Sequence, residues 1–189
     1  MNKNNILITG FRPFSKNREN PTEMAIKRLT KKEYKGLIFD VDYNSSINDL
    51  KEFLAKDKEI KFVLSLGLAS NRDYITIEKF AYNEYSNGIP DNSGYIPKSR
   101  LIIDNCEPRL QTNCDVEYIS DYISIKISLC EESINPGRYL CNFIYFNDLV
   151  LFNGNALFVH FPSLSEDNTI KDYVNVIETI VERLCNCSK

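Results

Sequence analysis

Histidine is almost missing from this chain of 189 residues, which has only His160. Any reaction that needs an imidazole must use that residue, and one histidine cannot complete the usual zinc-binding patterns. The six cysteines include no Cys-x-x-Cys pair. Without a secretory signal, and in a chain of this length, a disulfide framework is the weaker interpretation of an even cysteine count.

The sequence also lacks long apolar runs and any concentration of positive charge. The apolar stretch near the N-terminus is too short for the core of a signal peptide, and no segment could span a bilayer. The formal net charge of −3, without a basic stripe, argues against a nucleic-acid-binding surface. We therefore expect a cytoplasmic protein with no membrane and no nucleic-acid partner, folded as a single domain over residues 1–189.

In the first third of the chain, short apolar runs alternate with helical patterns. Strands are predicted at residues 6–9, 37–43 and 61–67, and helices at residues 20–32 and 47–58, the second capped by Ser46. This alternation with short connections indicates right-handed strand–helix–strand units. We expect an α/β fold, an open, twisted, largely parallel sheet with helices on both faces.

The remaining pattern continues this fold after a long irregular excursion. A β-rich stretch at 74–82 leads into a loop over about 83–112, a length typical of functional or interface segments. Helices are predicted at 115–123, 139–151 and 167–184, and strands at 124–130 and 156–160. Cys185 and Cys187 then fall in a polar tail that we expect to fray.

Cys141 and His160 have the residue types needed for acyl transfer. Cys141 follows the turn signal Pro136-Gly137 and lies in the first turn of a predicted helix, where the helix dipole favours thiolate. His160 ends a buried strand, and thiolate with imidazole is the minimum equipment for nucleophilic catalysis. Taken alone, each has a more ordinary interpretation, because free cysteines are mostly small buried hydrophobes and a lone histidine is more often structural.

Four further residues have an ordinary structural interpretation beside a possible functional one. Phe11 and Phe14 follow the first strand and could pack under the loop or line a ligand pocket, since open α/β sheets bind ligands at that edge. Asn20 is a plausible helix cap. Glu78, within the β-rich stretch, would most often be a solvent-facing strand residue.

Seven short motifs, spread over nearly the whole chain in the same order, resemble the pyroglutamyl peptidase I family of cysteine peptidases. Each motif is weak alone, but seven in register are strong evidence. They are Thr9-Gly10-Phe11-Arg12-Pro13-Phe14, Asn20-Pro21-Thr22, Gly67-Leu68-Ala69 with Arg72, Ile77-Glu78-Lys79, Ile89-Pro90-Asp91-Asn92, Gly137-Arg138-Tyr139-Leu140-Cys141-Asn142, and Phe158-Val159-His160-Phe161-Pro162.

The resemblance implies a peptidase that removes N-terminal pyroglutamate from peptides, with Glu78, Cys141 and His160 as its catalytic residues. It implies no metal or organic cofactor, and it leaves a homo-oligomer open. Many bacterial members carry an arginine where this chain has Gly88, which leaves the second donor to the oxyanion undetermined. The residues that would bind the pyroglutamyl group are Phe11, Phe14, Asn20, Ser70, Asn71, Ile89, Tyr139 and Leu140.

Two other functions stay open at this point. One is a catalytically weak or silent family member that binds peptides or a protein partner, although an intact Glu-Cys-His set argues against it. The other is a generic α/β ligand-binding module in which Cys141 is buried and inert.

Overall fold

The computed structural model describes residues 1–14, 19–85 and 88–186. A short 3₁₀ turn precedes the first strand. The strands are β1 (Ile6–Phe11), β2 (Lys35–Phe39), β3 (Phe62–Leu68), β4 (Ile75–Glu78), β5 (Phe80–Tyr82), β6 (Arg109–Gln111), β7 (Cys130–Ser133) and β8 (Ala156–Phe161). The helices are α1 (Pro21–Thr30), α2 (Tyr43–Lys56), α3 (Val116–Lys126), α4 (Leu140–Leu151) and α5 (Ile170–Asn186).

Six of these strands form one sheet in the order β2-β1-β3-β8-β4-β7. The first four run parallel to one another, whereas β4 pairs antiparallel with β8 and carries the parallel strand β7 at the edge. Strands β5 and β6 pair separately as an antiparallel ribbon. The predicted α/β class with a largely parallel sheet is confirmed.

The sheet separates two apolar cores. Helices α1, α3 and α5 cover one face, and the most deeply buried residues of α5 repeat at helical spacing toward it. Helices α2 and α4, with the β5–β6 ribbon, cover the other face. Helices on both faces are therefore observed, as the alternating pattern predicts.

The strand predicted at 124–130 is wrong, because α3 continues to Lys126. Asp115 caps this helix by accepting a hydrogen bond from the Tyr118 backbone N–H at 3.0 Å. The Ser124 hydroxyl donates a hydrogen bond to the Cys130 carbonyl and accepts one from the Cys130 N–H at 2.9 Å. The apparent alternation reflects the end of an amphipathic helix followed by a turn, and the strand begins only at Cys130.

Three other predicted boundaries are also corrected. The second strand ends at Phe39, and α2 begins at Tyr43 because Asp42, not Ser46, caps it by accepting from the Ser45 N–H at 2.7 Å. Cys185 lies within α5 and packs partly buried against the core, so it does not belong to a frayed tail. Cys187 lies outside the described residues. Across the described ranges, no helix is long and apolar enough to cross a membrane.

A buried polar chain joins β1, β3 and α4 within the apolar core. The Thr9 and Ser65 hydroxyls lie 2.7 Å apart, and Ser65 donates to Asp148 Oδ2 at 2.6 Å. The Asp148 side chain is fully buried, and its Oδ1 has no hydrogen-bond partner among the described residues. Burial raises the pKa of Asp148 to about 7, against the weaker lowering effect of Ser65.

Replacing Asp148 by asparagine should remove a pH-dependent loss of stability. A carboxyl group whose pKa is about 7 when folded and about 3.9 when unfolded stabilises the fold below the lower value, and this contribution is lost as pH rises through the higher one. The free energy of unfolding of Asp148→Asn, relative to the parent, should therefore increase by about 2–3 kcal/mol from pH 5 to pH 8. Urea unfolding at both pH values measures this difference.

The exposed α3 residue Asp121 provides the matched control, because Asp121→Asn should show the same difference at both pH values. A pH-independent difference for Asp148→Asn would show that the buried carboxyl group is ionised throughout.

Candidate active site

Glu78 and His160 form a buried pair across neighbouring strands. Thr76 lies opposite His160 in the β4–β8 register, so Glu78 occupies the diagonal position on the same face. Glu78 Oε1 lies 2.8 Å from His160 Nδ1, and both side chains are almost fully buried. Because a carboxylate can only accept, Nδ1 carries the proton and Nε2 is left free to act as a base.

Strand β3 passes close to the imidazole, which has room because residue 67 is a glycine. Gly67 pairs with His160 in the sheet, and a Cβ built at Gly67 would lie 2.9 Å from His160 Cδ2 and 2.8 Å from Phe158 Cε1. Any side chain at this position would displace the two rings. Gly67 therefore sets the place of the histidine.

Arg72 is the third partner of this pair. Its Nη1 donates to Glu78 Oε1 at 2.6 Å and also to the Thr76 hydroxyl. Its Nη2 donates to the backbone carbonyl of Asn135 at 2.8 Å. The same Glu78 oxygen thus accepts from both an imidazole and a guanidinium.

The pKa shifts of the pair follow from burial and from these contacts. Burial acts to raise the pKa of Glu78, but the hydrogen bond and charge of His160, with the Arg72 charge, outweigh it and lower that pKa. Burial, helped by the Arg72 charge, lowers the pKa of His160 more than the hydrogen bond and charge of Glu78 raise it. Near neutral pH the site therefore holds a carboxylate beside a neutral imidazole.

Cys141 lies in the first turn of α4, as the Pro136-Gly137 turn predicts. The N-cap residue Tyr139 makes no side-chain capping bond, so the backbone N–H groups of this turn are not satisfied by a cap. The helix dipole alone favours the thiolate form of Cys141, but the surroundings of the thiol oppose it. Burial and the Glu78 charge raise the pKa of Cys141 to about 12, against the lowering effects of Arg72 and of the backbone N–H.

The residues on either side of Cys141 are anchored to the β5–β6 ribbon and to the residues that follow β5. The buried Asn142 amide accepts from the Tyr82 N–H at 2.8 Å and donates to the carbonyls of Tyr82 and Glu84. Arg138 donates to the Glu84 carboxylate at 2.9 Å and stacks over the Tyr82 ring. These contacts fix the entry of α4 and hold the thiol in place.

Cys141 and His160 open onto one cavity of about 290 Å³ at the carboxyl ends of β1, β3 and β8. A volume at the lower limit of typical ligand pockets suits a single small acyl group. Among the described residues, no hydrogen bond joins the thiol to the imidazole. The cavity is lined by Phe11, Phe14, Asn20, Val41, Leu68, Ala69, Asn71, Arg72, Asn135, Pro136, Gly137, Tyr139, Leu140, Cys141 and His160.

Six of the eight predicted binding residues lie in this wall, and two do not. Ser70 is exposed in the turn after β3, and the Ile89 side chain is half exposed outside the cavity. The loop of Ile89 is held nearby only through its backbone, because the Tyr139 hydroxyl donates to the Pro90 carbonyl at 2.9 Å. Motif position alone could not distinguish a side chain that enters the pocket from one that supports its rim.

Asn20 is the predicted helix cap, and it also braces the loop after β1. It caps α1 by accepting from the Thr22 N–H at 3.0 Å, and it donates to the Arg12 carbonyl at 3.2 Å, which braces the loop that carries Phe14. Sequence reasoning missed Val41, Leu68 and Asn135 in the wall. Arg72 was quoted within a motif but not as a site residue, although a cation that follows a strand end was a usable signal.

Comparisons with known proteins agree with this architecture. A family model described as pyroglutamyl peptidase matches residues 4–184. The chain belongs to the pyroglutamyl peptidase family. It is therefore an enzyme, a cysteine-type peptidase of that family.

Relatives from this family align with most of the chain. The pyrrolidone-carboxylate peptidase of Saccharolobus islandicus is 33% identical over 167 residues, 83% of this chain and 78% of its own length. The solved structure of the pyrrolidone carboxyl peptidase from Fervidobacterium islandicum AW-1 superposes with a TM-score of 0.89 at 28% identity, covering 97% of this chain and 99% of that one. The structure from Thermococcus litoralis gives a TM-score of 0.85 at 28% identity, covering 94% of this chain and 91% of that one.

Replacing His160 should slow the alkylation of Cys141, because a thiol with a raised pKa needs a neighbouring base to lose its proton. With iodoacetamide at pH 7.5, the rate of Cys141 labelling in His160→Gln should fall by about 100-fold, the lower end of general-base effects. Peptide mass spectrometry at short times gives the rate for each cysteine.

Cys106 is partly buried and is not in the cavity wall, so its labelling rate serves as the internal control and should not change. Equal Cys141 labelling in the parent and in His160→Gln would show that the imidazole does not assist the thiol.

Proposed function

We propose that this enzyme removes N-terminal pyroglutamate from peptides, with Cys141 as nucleophile, His160 as general base and acid, and Glu78 as the group that orients the imidazole. The observation that carries the proposal is the buried Glu78–His160 hydrogen bond of 2.8 Å at the wall of the cavity that also contains Cys141. A nucleophile, a base and an orienting carboxylate are the three parts of a triad.

The first half of the reaction forms a thioester. His160 Nε2 takes the proton of Cys141 Sγ as sulfur attacks the pyroglutamyl carbonyl, which gives a tetrahedral oxyanion and an imidazolium. The imidazolium then protonates the leaving amine as the C–N bond breaks. Glu78 stabilises the transient imidazolium through its carboxylate, which accepts a hydrogen bond from the Nδ1–H group.

Because the resting thiol is protonated and the imidazole neutral, proton transfer accompanies attack. The pKa of Cys141 is raised by burial and the pKa of His160 is lowered by burial, which disfavours a stable thiolate–imidazolium pair. Of the two resting states that a Cys-His pair allows, these shifts support the neutral one.

The developing oxyanion needs preorganised donors. The backbone N–H of Cys141, in the uncapped first turn of α4, lies at the positive end of the helix dipole and provides one. Water then attacks the thioester carbonyl, giving its proton to His160. Collapse of that second intermediate breaks the C–S bond, returns a proton to sulfur and releases pyroglutamate.

The pocket wall suits a flat lactam. Phe11, Phe14 and Leu140 supply apolar surface, while the Asn71 amide offers hydrogen-bonding groups. A pyroglutamyl residue presents a neutral N–H and a C=O, whereas a prolyl residue brings a charged amine and no lactam oxygen. A pocket built for the lactam should therefore reject proline strongly.

The selectivity of turnover tests the substrate assignment. We expect cleavage of a pyroglutamyl fluorogenic amide, with kcat/KM exceeding that of the prolyl amide by roughly 10⁴-fold, because a site that hydrogen-bonds a substrate group rejects analogues that lack it. In Phe14→Ala, this activity should be lost while the fold is retained.

Tyr118→Ala, on the exposed side of α3 and away from the cavity, is the control and should keep parental activity. Equal kcat/KM values for both amides would contradict the pocket assignment. Absence of turnover in a folded protein would instead favour a silent family member that binds peptides.

The role of Glu78 is tested by Glu78→Gln, which keeps the side-chain shape but removes the charge that stabilises the imidazolium. We expect kcat to fall by about 10²- to 10⁴-fold with little change in KM. Because Glu78 raises the pKa of His160, the acid limb of kcat/KM should also move to lower pH.

Glu132→Gln, on the neighbouring strand and paired with Lys79, is the matched control and should leave both parameters unchanged. Parental kcat with an unmoved acid limb in Glu78→Gln would show that the carboxylate has only a structural role.

A further inference from the structure

Arg72 makes contacts that the triad alone does not explain. Its guanidinium joins three places: the carboxylate of Glu78, the hydroxyl of Thr76 and the main-chain carbonyl of Asn135. Its side chain is about one-fifth exposed, and it lines the cavity beside Cys141 and His160. A planar guanidinium can make such directed contacts at once, whereas an ammonium acts as a point charge.

The charge balance of the site requires a permanent cation. The Glu78 side chain is completely buried, and a buried carboxylate without a charged partner takes up a proton. The His160 hydrogen bond is the largest effect that lowers the pKa of Glu78, but burial lowers the pKa of His160 itself, so a neutral imidazole provides that hydrogen bond without a permanent charge. In the described part of the chain, the cation that contacts Glu78 is Arg72, at 2.6 Å.

We propose that Arg72 is a positioning residue of the triad. Its charge keeps Glu78 ionised beside a neutral His160. The two donor nitrogens of its guanidinium, Nη1 and Nη2, connect the strand that carries Glu78 to the loop before Cys141. The kinetic part of this inference rests on the proposed function. The part that concerns the charge state of the Glu78–His160 pair does not.

The second half of the role concerns the loop between β7 and α4. Arg72 donates to the Asn135 carbonyl at 2.8 Å, and the Tyr82 hydroxyl donates to the neighbouring Ile134 carbonyl at 2.8 Å. Asn135 also lines the cavity. Loss of the guanidinium would therefore release one of the contacts that set the distance between the Cys141 turn and β4.

Each element packed against the Glu78–His160 pair contributes a group that faces it. Strand β8 supplies His160, α4 supplies the Cys141 thiol and the Tyr145 hydroxyl, which donates to the Glu78 carbonyl at 2.8 Å, and the turn after β3 supplies Arg72. Ser133 on β7 also lowers the pKa of Glu78. Of these, only the guanidinium is charged at every pH of interest.

Removing the cation has a predictable sign. Glu78 and His160 share a buried hydrogen bond, so protons bind to the pair as a unit. Arg72 lowers the pKa of both members, and without it the pair takes up a proton at higher pH, whichever atom receives it. The catalytically competent form, carboxylate with neutral imidazole, then exists only at higher pH.

Because the chain has a single histidine, the pH at which the pair takes up a proton can be measured by NMR without assigning signals to different histidines. We would label the full-length protein with ¹⁵N-histidine and follow the imidazole nitrogens by NMR during a pH titration, for the parent, Arg72→Met and Arg72→Lys. The expected result is a higher midpoint for Arg72→Met and a midpoint near that of the parent for Arg72→Lys. Arg28→Met, on the exposed face of α1, is the control and should titrate like the parent.

Kinetic measurements with a pyroglutamyl amide separate the effect of the positive charge of Arg72 from the effect of its two-sided hydrogen bonding. For Arg72→Met, the acid limb of kcat/KM should move to higher pH, and its plateau should fall by about 10- to 100-fold, the usual cost of removing a partner that orients a catalytic group. Arg72→Lys should restore the acid limb but not the whole plateau, since an ammonium cannot hold both Glu78 and the Asn135 carbonyl.

An NMR midpoint in Arg72→Met equal to that of Arg28→Met, in a protein with the parental unfolding midpoint, would overturn the charge role. Full restoration of the kcat/KM plateau in Arg72→Lys would show that simultaneous hydrogen bonding to Glu78 and the Asn135 carbonyl is not required. If Arg72→Met unfolds, Arg72→Gln and Arg72→Lys provide the same comparison. Failure of the parent to cleave the amide would refute the proposed function, while the NMR result would still decide the charge role.

Discussion

The hydrogen bond between Glu78 and His160 is the interaction on which the site depends. In water, a carboxylate and an imidazole gain little from such a contact, but in the buried interior they orient each other and share protons. The cost of burying the carboxylate is offset because it accepts from both the imidazole and the Arg72 guanidinium. In the proposed mechanism the pair serves as a preformed base.

The sheet is arranged to make that contact. Antiparallel pairing of β4 against β8 places Glu78 diagonal to His160 on one face, and Gly67 on the other side of β8 leaves the space that the ring occupies. The Tyr145 hydroxyl donates to the Glu78 carbonyl, which connects the strand to α4 and thus to the helix that carries Cys141. Fold and site are coupled through these few contacts.

Much of this arrangement could be predicted from the sequence, and the failures have physical causes. The alternation of apolar runs and amphipathic helices predicted the α/β class, and the Pro136-Gly137 turn predicted a helix that starts next to Cys141. The direction of β4 could not be predicted, because strand periodicity is the same whether a strand runs parallel or antiparallel. Residues 124–130 were predicted as a strand because the end of an amphipathic helix, followed by a turn, can imitate the alternation of a strand.

The charge state of the site was also beyond sequence reasoning. The start of a helix favours thiolate, but burial and the nearby Glu78 carboxylate oppose it, and only the three-dimensional environment shows which effect is larger. Likewise, Ser70 and Ile89 belong to motifs that border the pocket, while their side chains point outside its wall. Residue type gave the chemistry, and packing decided which groups take part.

The most direct test is the tautomer of the single histidine in the resting enzyme. Long-range ¹H–¹⁵N correlation spectra of ¹⁵N-histidine-labelled protein at pH 7.5 distinguish the protonated from the unprotonated ring nitrogen. The account predicts a neutral ring with the proton on Nδ1, bound to Glu78, and an unprotonated Nε2 available to Cys141. A ring protonated at Nε2 alone, or a full imidazolium at that pH, would contradict it.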